Sequence, residues 1–167
     1  MSAAASQRVA VLVREIEGAF ADVEYPGDER LVYDSSGKHL ECAEVADALR
    51  GRDWRSLSVE ELSYSPSNLN FMTAEAVHYY LPAYLTASVL SYSAAGAVPE
   101  TLLWILKSPP ATQTTDQRAF ASFADRLTSR QKAVIRSFLE YLRDEHGADF
   151  PWGDVSPSTV LEAWAKT

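Results

Sequence analysis

Residues 71–90 read FMTAEAVHYYLPAYLTASVL, a run of twenty positions in which Glu75 is the one charge. At about 100° per residue, Met72, Ala76, Ala83, Ala87 and Leu90 share one face while Phe71, Leu81, Leu85 and Val89 cover another. Apolar groups therefore occupy more of the circumference than on a surface helix, which predicts a buried central helix with neighbours on several sides. Thr73 is expected to cap its start, because its hydroxyl can accept from a free N–H of the first turn, and Glu75 then meets the positive end of the helix dipole. Pro82 removes the N–H that would pair with the His78 carbonyl, so the run forms either one kinked helix or two short ones.

Around this run the apolar positions recur at helical spacing. Val9, Leu12, Val13, Ile16 and Phe20 predict an amphipathic helix over residues 6–23, stopped by the turn Tyr25-Pro26-Gly27-Asp28. Leu31-Val32-Tyr33 reads as a short extended piece before the turn Asp34-Ser35-Ser36-Gly37. Cys42, Val45, Ala46 and Leu49 mark a second helix, closed at Gly51, where the missing Cβ permits a left-handed cap. Ser58 and Glu61 fit a capping box for a short third helix, flanked by Leu57 and Leu62 as a hydrophobic staple. Trp54 lies between these two helices, as a packing wedge whose indole N–H is expected to find a carbonyl.

Further on, Pro99 suits the first helical position of residues 99–107, where Leu102, Leu103, Trp104 and Leu106 predict a core segment. Ser108-Pro109-Pro110 ends it, and residues 111–115 read as an exposed loop. Ala119, Phe120, Phe123 and Leu127 form one side of a helix over 114–127. Thr128 and Gln131 give a second capping box, opening an amphipathic helix with Val134, Ile135, Phe138, Leu139 and Leu142 inside and Gly147 at its end. Ser156-Pro157 starts a last helix carrying Val160, Leu161 and Trp164. The pattern predicts an all-α fold: one domain over residues 1–167, an irregular bundle of about seven or eight helices around the central Pro-containing helix.

Composition narrows the function classes. The 167 residues, 47% hydrophobic and 23% charged, describe an ordinary globular chain able to bury a core without disulfide or metal support. Cys42 is the only cysteine, which fits a reducing compartment, and no leader or membrane span is read from the pattern, so a cytoplasmic location is expected. The net charge is -8. It is concentrated early: residues 1–65 hold 13 acidic and 7 basic side chains, residues 66–108 hold 2 and 1, and residues 109–167 hold 8 and 7. Such a surface cannot neutralise phosphates along a duplex, so nucleic acid is not an expected partner, whereas a basic protein is. The same acidity also serves solubility.

Candidate chemistry is sparse. His39, His78 and His146 are far apart, none in a metal-binding pair, and the seven glycines form no phosphate loop, so no metal and no cofactor is expected. Cys42, one helical turn from His39, reads as a small core residue rather than an activated thiolate. Glu75, His78, Tyr79 and Thr86 project within a sector of about 100° on the central helix. A carboxylate one turn from an imidazole can raise its pKa and form an acid/base pair; the plain alternative is a set of polar groups on a half-buried helix, with Glu75 serving the dipole. On the opposite side Tyr80, Tyr84, Ser88 and Ser91 recur at three- and four-residue steps, either as a core layer with hydrogen-bonded tips or as interface anchors, with Trp54 a further candidate binding residue.

The stretch Glu41-Cys42-Ala43-Glu44, followed by Gly51-Arg52-Asp53-Trp54-Arg55-Ser56-Leu57 and by the Tyr79-Tyr80-Leu81-Pro82-Ala83-Tyr84-Leu85 centre, resembles a family of small bacterial proteins known only as a domain of unknown function. The segment from Thr128 to Leu142 resembles that family's C-terminal helix, so the likeness spans roughly half the chain. It implies a bacterial, intracellular setting and transfers no catalytic residue. The function expected from these features is a protein-binding module, such as an inhibitor or immunity-type partner of a basic protein. The alternatives are a small acid/base enzyme using Glu75 and His78 beside Tyr79, and a homo-oligomeric scaffold built on Tyr80 and Tyr84.

Overall fold

In the computed structural model, which describes residues 3–109, 113–151 and 153–165, the chain is an all-α bundle. Its axis is α4, Ala74–Leu90. The Thr73 hydroxyl accepts from the Ala76 N–H at 3.1 Å and donates to the Arg30 carbonyl, so one residue both caps the helix and ties it to a distant loop. The helix runs through Pro82 unbroken. The carbonyl opposite the proline loses its usual partner, but side chains on nearly every side of this segment are buried, and that packing outweighs the local preference for a break. Among the large side chains wholly enclosed here are Tyr80, Tyr84, Leu81 and Leu85.

Amphipathic helices wrap this axis. α1, Ala3–Ala19, lies against α4 and α8, Ser129–His146, and α8 in turn packs on α9, Pro157–Trp164. On the other side α4 meets α6, Val98–Leu106, and α7, Thr114–Ala124. α2, Leu40–Leu49, and α3, Val59–Tyr64, flank α4 on a further side: α3 packs on α4 itself, the single turn Trp54–Ser56 lies against α4, and the turn Pro66–Phe71, which leads into α4, packs on α2 and α6. A four-residue helix, α5 at Tyr92–Ala95, joins α4 to α6 through Gly96, which sits at φ 56°, a left-handed conformation that suits glycine.

Both expected capping boxes are complete: Ser58 with Glu61, and Thr128 with Gln131. The extended piece at Leu31-Val32-Tyr33 becomes an isolated antiparallel bridge between Val32 and Met72, with Tyr33 N–H donating to the Phe71 carbonyl and Thr73 N–H to the Leu31 carbonyl, each at 3.1 Å. No strand forms among the described residues, since no third segment lies beside that pair.

Several local expectations are corrected. α1 stops at Ala19, four residues short of the expected end, although Phe20 still enters the core. Of the loop expected at 111–115, Ala111 and Thr112 lie outside the described residues, as does Pro110; α7 begins at Thr114 as expected but ends at Ala124, three residues short of the expected end. Trp104 was placed in the core by its neighbours, yet it is 54% exposed, with the Lys107 ammonium 5.0 Å from its ring centre. The reason is angular: Leu102, Leu103 and Leu106 take the buried face of α6, and Trp104 falls on the other.

Candidate functional site

The polar side of α4 opens into a cleft of about 610 Å³ between the end of α1, the start of α4 and the start of α8. Glu75 and His78 both line it, but the carboxylate is engaged by arginines. Glu75 Oε1 accepts from Arg126 Nη2 at 2.8 Å, and Oε2 lies 3.5 Å from Arg30 Nη1. Arg130 also lines the cleft and forms no ion pair among the described residues.

His78 is held by Gln131, whose hydrogen bonds fix the histidine's tautomer. Gln131 is buried; its amide nitrogen donates to the Ala19 carbonyl at 3.0 Å, and its Oε1 accepts from the Thr128 N–H at 3.0 Å. That oxygen cannot donate, so His78 Nε2, 3.0 Å away, carries the proton and donates to it. His78 Nδ1 is left as an acceptor. Burial against Phe20, whose ring centre is 6.0 Å away, holds the imidazole pKa below its ordinary value; the Gln131 bond opposes this and the nearby Arg126 charge reinforces it. The sequence pattern allowed a carboxylate to raise this pKa. Burial lowers it instead, and Glu75, paired with Arg30 and Arg126, does not offset that.

The remaining candidates lie elsewhere. Tyr79 is buried away from the cleft, its ring edge-on to Tyr25 at 5.4 Å and to Tyr80 at 4.9 Å. Tyr80 is wholly enclosed. Its hydroxyl is 2.9 Å from both the Leu49 and Arg52 carbonyls and donates to them, satisfying backbone oxygens at the end of α2. Trp54 is buried against α4, beneath the Arg55 guanidinium at 4.2 Å, and its indole N–H has no hydrogen-bond partner among the described residues, contrary to the expected carbonyl. Neither Tyr80 nor Trp54 presents a surface for a partner. His39 caps α2 through Nδ1, which accepts from the Cys42 N–H at 3.4 Å, and Cys42 is fully buried.

Tyr84 differs. Half a turn round α4 from Glu75 it forms part of the floor of a groove of about 870 Å³ between α2 and α3. Only 1% of Tyr84 is exposed, and its hydroxyl has no hydrogen-bond partner among the described residues. Burial raises the phenol pKa, so it stays protonated and can both donate and accept. Val45, Leu49, Leu57 and Leu62 supply apolar surface around it, and Tyr64, 90% exposed, stands at the edge. The rim is acidic. Glu44 and Glu60 have no ion pair among the described residues, and Glu41 lies 3.3 Å from His39 Nδ1. Arg52, the one cation among the described lining residues, is spent on Glu61 at 2.6 and 3.2 Å and on the Ser56 carbonyl at 3.1 Å.

Sequence reasoning missed Gly18, Arg126 and Arg130 in the cleft and Glu44, Glu60 and Tyr64 at the groove. Gln131 was identified as a helix cap, with no signal that its oxygen also receives His78. No curated protein and no solved structure matches this chain. Residues 9–166 match the model of a family of unknown function, DUF6714. With nearly its whole length matched, the chain belongs to that family.

Proposed function

We propose that this protein is a binding module that docks a basic, apolar-anchored segment of a partner protein in the groove between α2 and α3. One observation carries the reading: an apolar floor on which the Tyr84 hydroxyl has no partner among the described residues, rimmed by acidic side chains, with Arg52, the one cation among the described lining residues, already neutralised by Glu61. An apolar anchor would fill the floor and a donor or acceptor on it would satisfy Tyr84. Lysine or arginine on either side would meet Glu44 and Glu60, giving fast, salt-dependent association. The excess of acids in residues 1–65 supports the same direction of steering. A cytoplasmic setting belongs to this proposal and is supported by the single, free cysteine.

The test is titration of a lysine-rich amphipathic peptide carrying one aromatic anchor, against the wild type, the rim variant Glu44→Lys/Glu60→Lys and the groove-filling variant Ala48→Trp. Saturable binding that weakens between about 0.05 and 0.5 M salt and is lost in both variants is expected. Binding unchanged by either variant refutes the assignment. A concentration-dependent native mass in sedimentation that Ala48→Trp abolishes would show that a second copy of the chain, not a basic partner, occupies the groove.

Acid/base chemistry at Glu75 and His78 is the alternative, supported by their sharing one cleft. It requires turnover of some substrate that His78→Gln abolishes while folding is retained; equal turnover in that variant ends it.

A further inference from the structure

Two local preferences are broken at one place. Gly18 lies in the last turn of α1, inside the helix, where glycine is less favourable than alanine. Arg130 occupies the first turn of α8, where the dipole of its own helix disfavours a cation. The two positions meet: a Cβ on residue 18 would stand 2.8 Å from Arg130 Nη2. The glycine thus leaves room for a guanidinium that forms no ion pair among the described residues. Conflicts of local preference that coincide in space mark functional positions.

The surroundings define a ligand. Glu75, carried by the first turn of α4, is already neutralised by Arg126 and Arg30, while Asp22 and Glu24 are exposed. Arg130 therefore has a fork of N–H donors available for an oxyanion. His78 offers the opposite character, because Gln131 takes its Nε2 proton and leaves Nδ1 as a lone pair. A group bearing only acceptors would satisfy the arginine and be repelled by the imidazole.

We propose that this cleft binds a small ligand carrying an oxyanion together with a hydrogen-bond donor, Arg130 gripping the oxyanion and His78 Nδ1 accepting from the donor. Carboxylate and phosphate share this chemistry when a hydroxyl or ammonium is adjacent, and phosphate near neutral pH carries its own proton. The cleft volume of about 610 Å³ is that of a small-molecule site. The ligand site is independent of the α2–α3 groove.

Inorganic phosphate and sulfate are the probes, compared by calorimetry and thermal unfolding at matched ionic strength, since sulfate at neutral pH has no proton to give. Saturable phosphate binding with a raised Tm is expected, and at least roughly threefold weaker sulfate binding. Arg130→Gln is expected to weaken phosphate about tenfold, the equivalent of one charge-assisted contact. Arg130→Lys separates the roles: a charge serving only the C-terminal dipole of α1 is retained by lysine, whereas the bidentate grip is lost. Gly18→Ala, which displaces the guanidinium, is expected to weaken phosphate without lowering the basal Tm. Phosphate acting no differently from chloride overturns the proposal, and so does full affinity in Arg130→Gln.

Discussion

The two sides of α4 are built from similar residue types and solve opposite problems. On the cleft side Glu75 is answered by Arg126 and Arg30, His78 Nε2 by Gln131, and Gln131 by Thr128 and Ala19, which leaves the Arg130 guanidinium and His78 Nδ1 open among the described residues. On the groove side the Tyr84 hydroxyl is unanswered and the acids at the rim share one sign. The first arrangement holds α1, α4 and α8 together. The second leaves its polar groups open and is therefore free to serve a partner. Mutations should separate the two: loss of the paired groups of the cleft should cost stability, and loss of the open groups of the groove should cost binding alone.

The largest effect is expected at Gln131. Gln131→Ala removes the partner of three buried or half-buried groups at once, and should cost about 2–4 kcal/mol by urea unfolding. A loss below about 1 kcal/mol would mean that the cleft network is not structural. Next comes Tyr80→Phe, which removes the hydroxyl shared by the Leu49 and Arg52 carbonyls, leaving Leu49 with the Arg52 N–H at 3.0 Å, and should cost about 1–2 kcal/mol in the same measurement.

Acid titration sharpens the contrast from another direction. Burial lowers the pKa of His78 and also of His146, so the native state disfavours their protonated forms. The stability this confers is complete above the unfolded value of about 6.5 and is lost as pH falls below it, where the unfolded chain takes up protons first. His78→Gln should flatten part of the fall in the urea midpoint between about pH 7 and 5. Glu61 acts in a lower window. Its carboxyl, held by Arg52 and the Ser58 N–H, titrates at about 2, so the stability it confers disappears between the ordinary carboxyl range and that value. The smallest effect is at Tyr84. Tyr84→Phe should change stability by less than about 0.5 kcal/mol, because no hydrogen bond is lost, while weakening the basic peptide; equal affinity would remove the hydroxyl from the groove's recognition.

How much of this was legible in the chain follows from distance along it. Both capping boxes, the Thr73 cap and the buried central helix are set by residues a few positions apart, and pattern reading found them. The unbroken passage through Pro82 was left open, because it depends on packing from helices far along the sequence. Gln131 shows the limit well: its capping role follows from Thr128 three residues earlier, but its bond to His78 spans 53 positions. Gly18 and Arg130 are likewise far apart in the chain, and each looks like an ordinary surface choice alone. The acidic excess of residues 1–65 was visible as a count; that Glu44 and Glu60 border an apolar floor was not. Trp104 misled because its neighbours in sequence are core residues while its angle on α6 is not.

The central claim is that α4 separates two independent binding faces, and amide NMR of the isotope-labelled protein tests it most directly. The lysine-rich peptide should shift signals along α2, α3 and Tyr84, and phosphate added afterwards should shift Gly18, His78 and Arg130, with no residue in both sets. One common set of shifts for both ligands, or shifts confined to surfaces outside the groove and the cleft, would contradict the account.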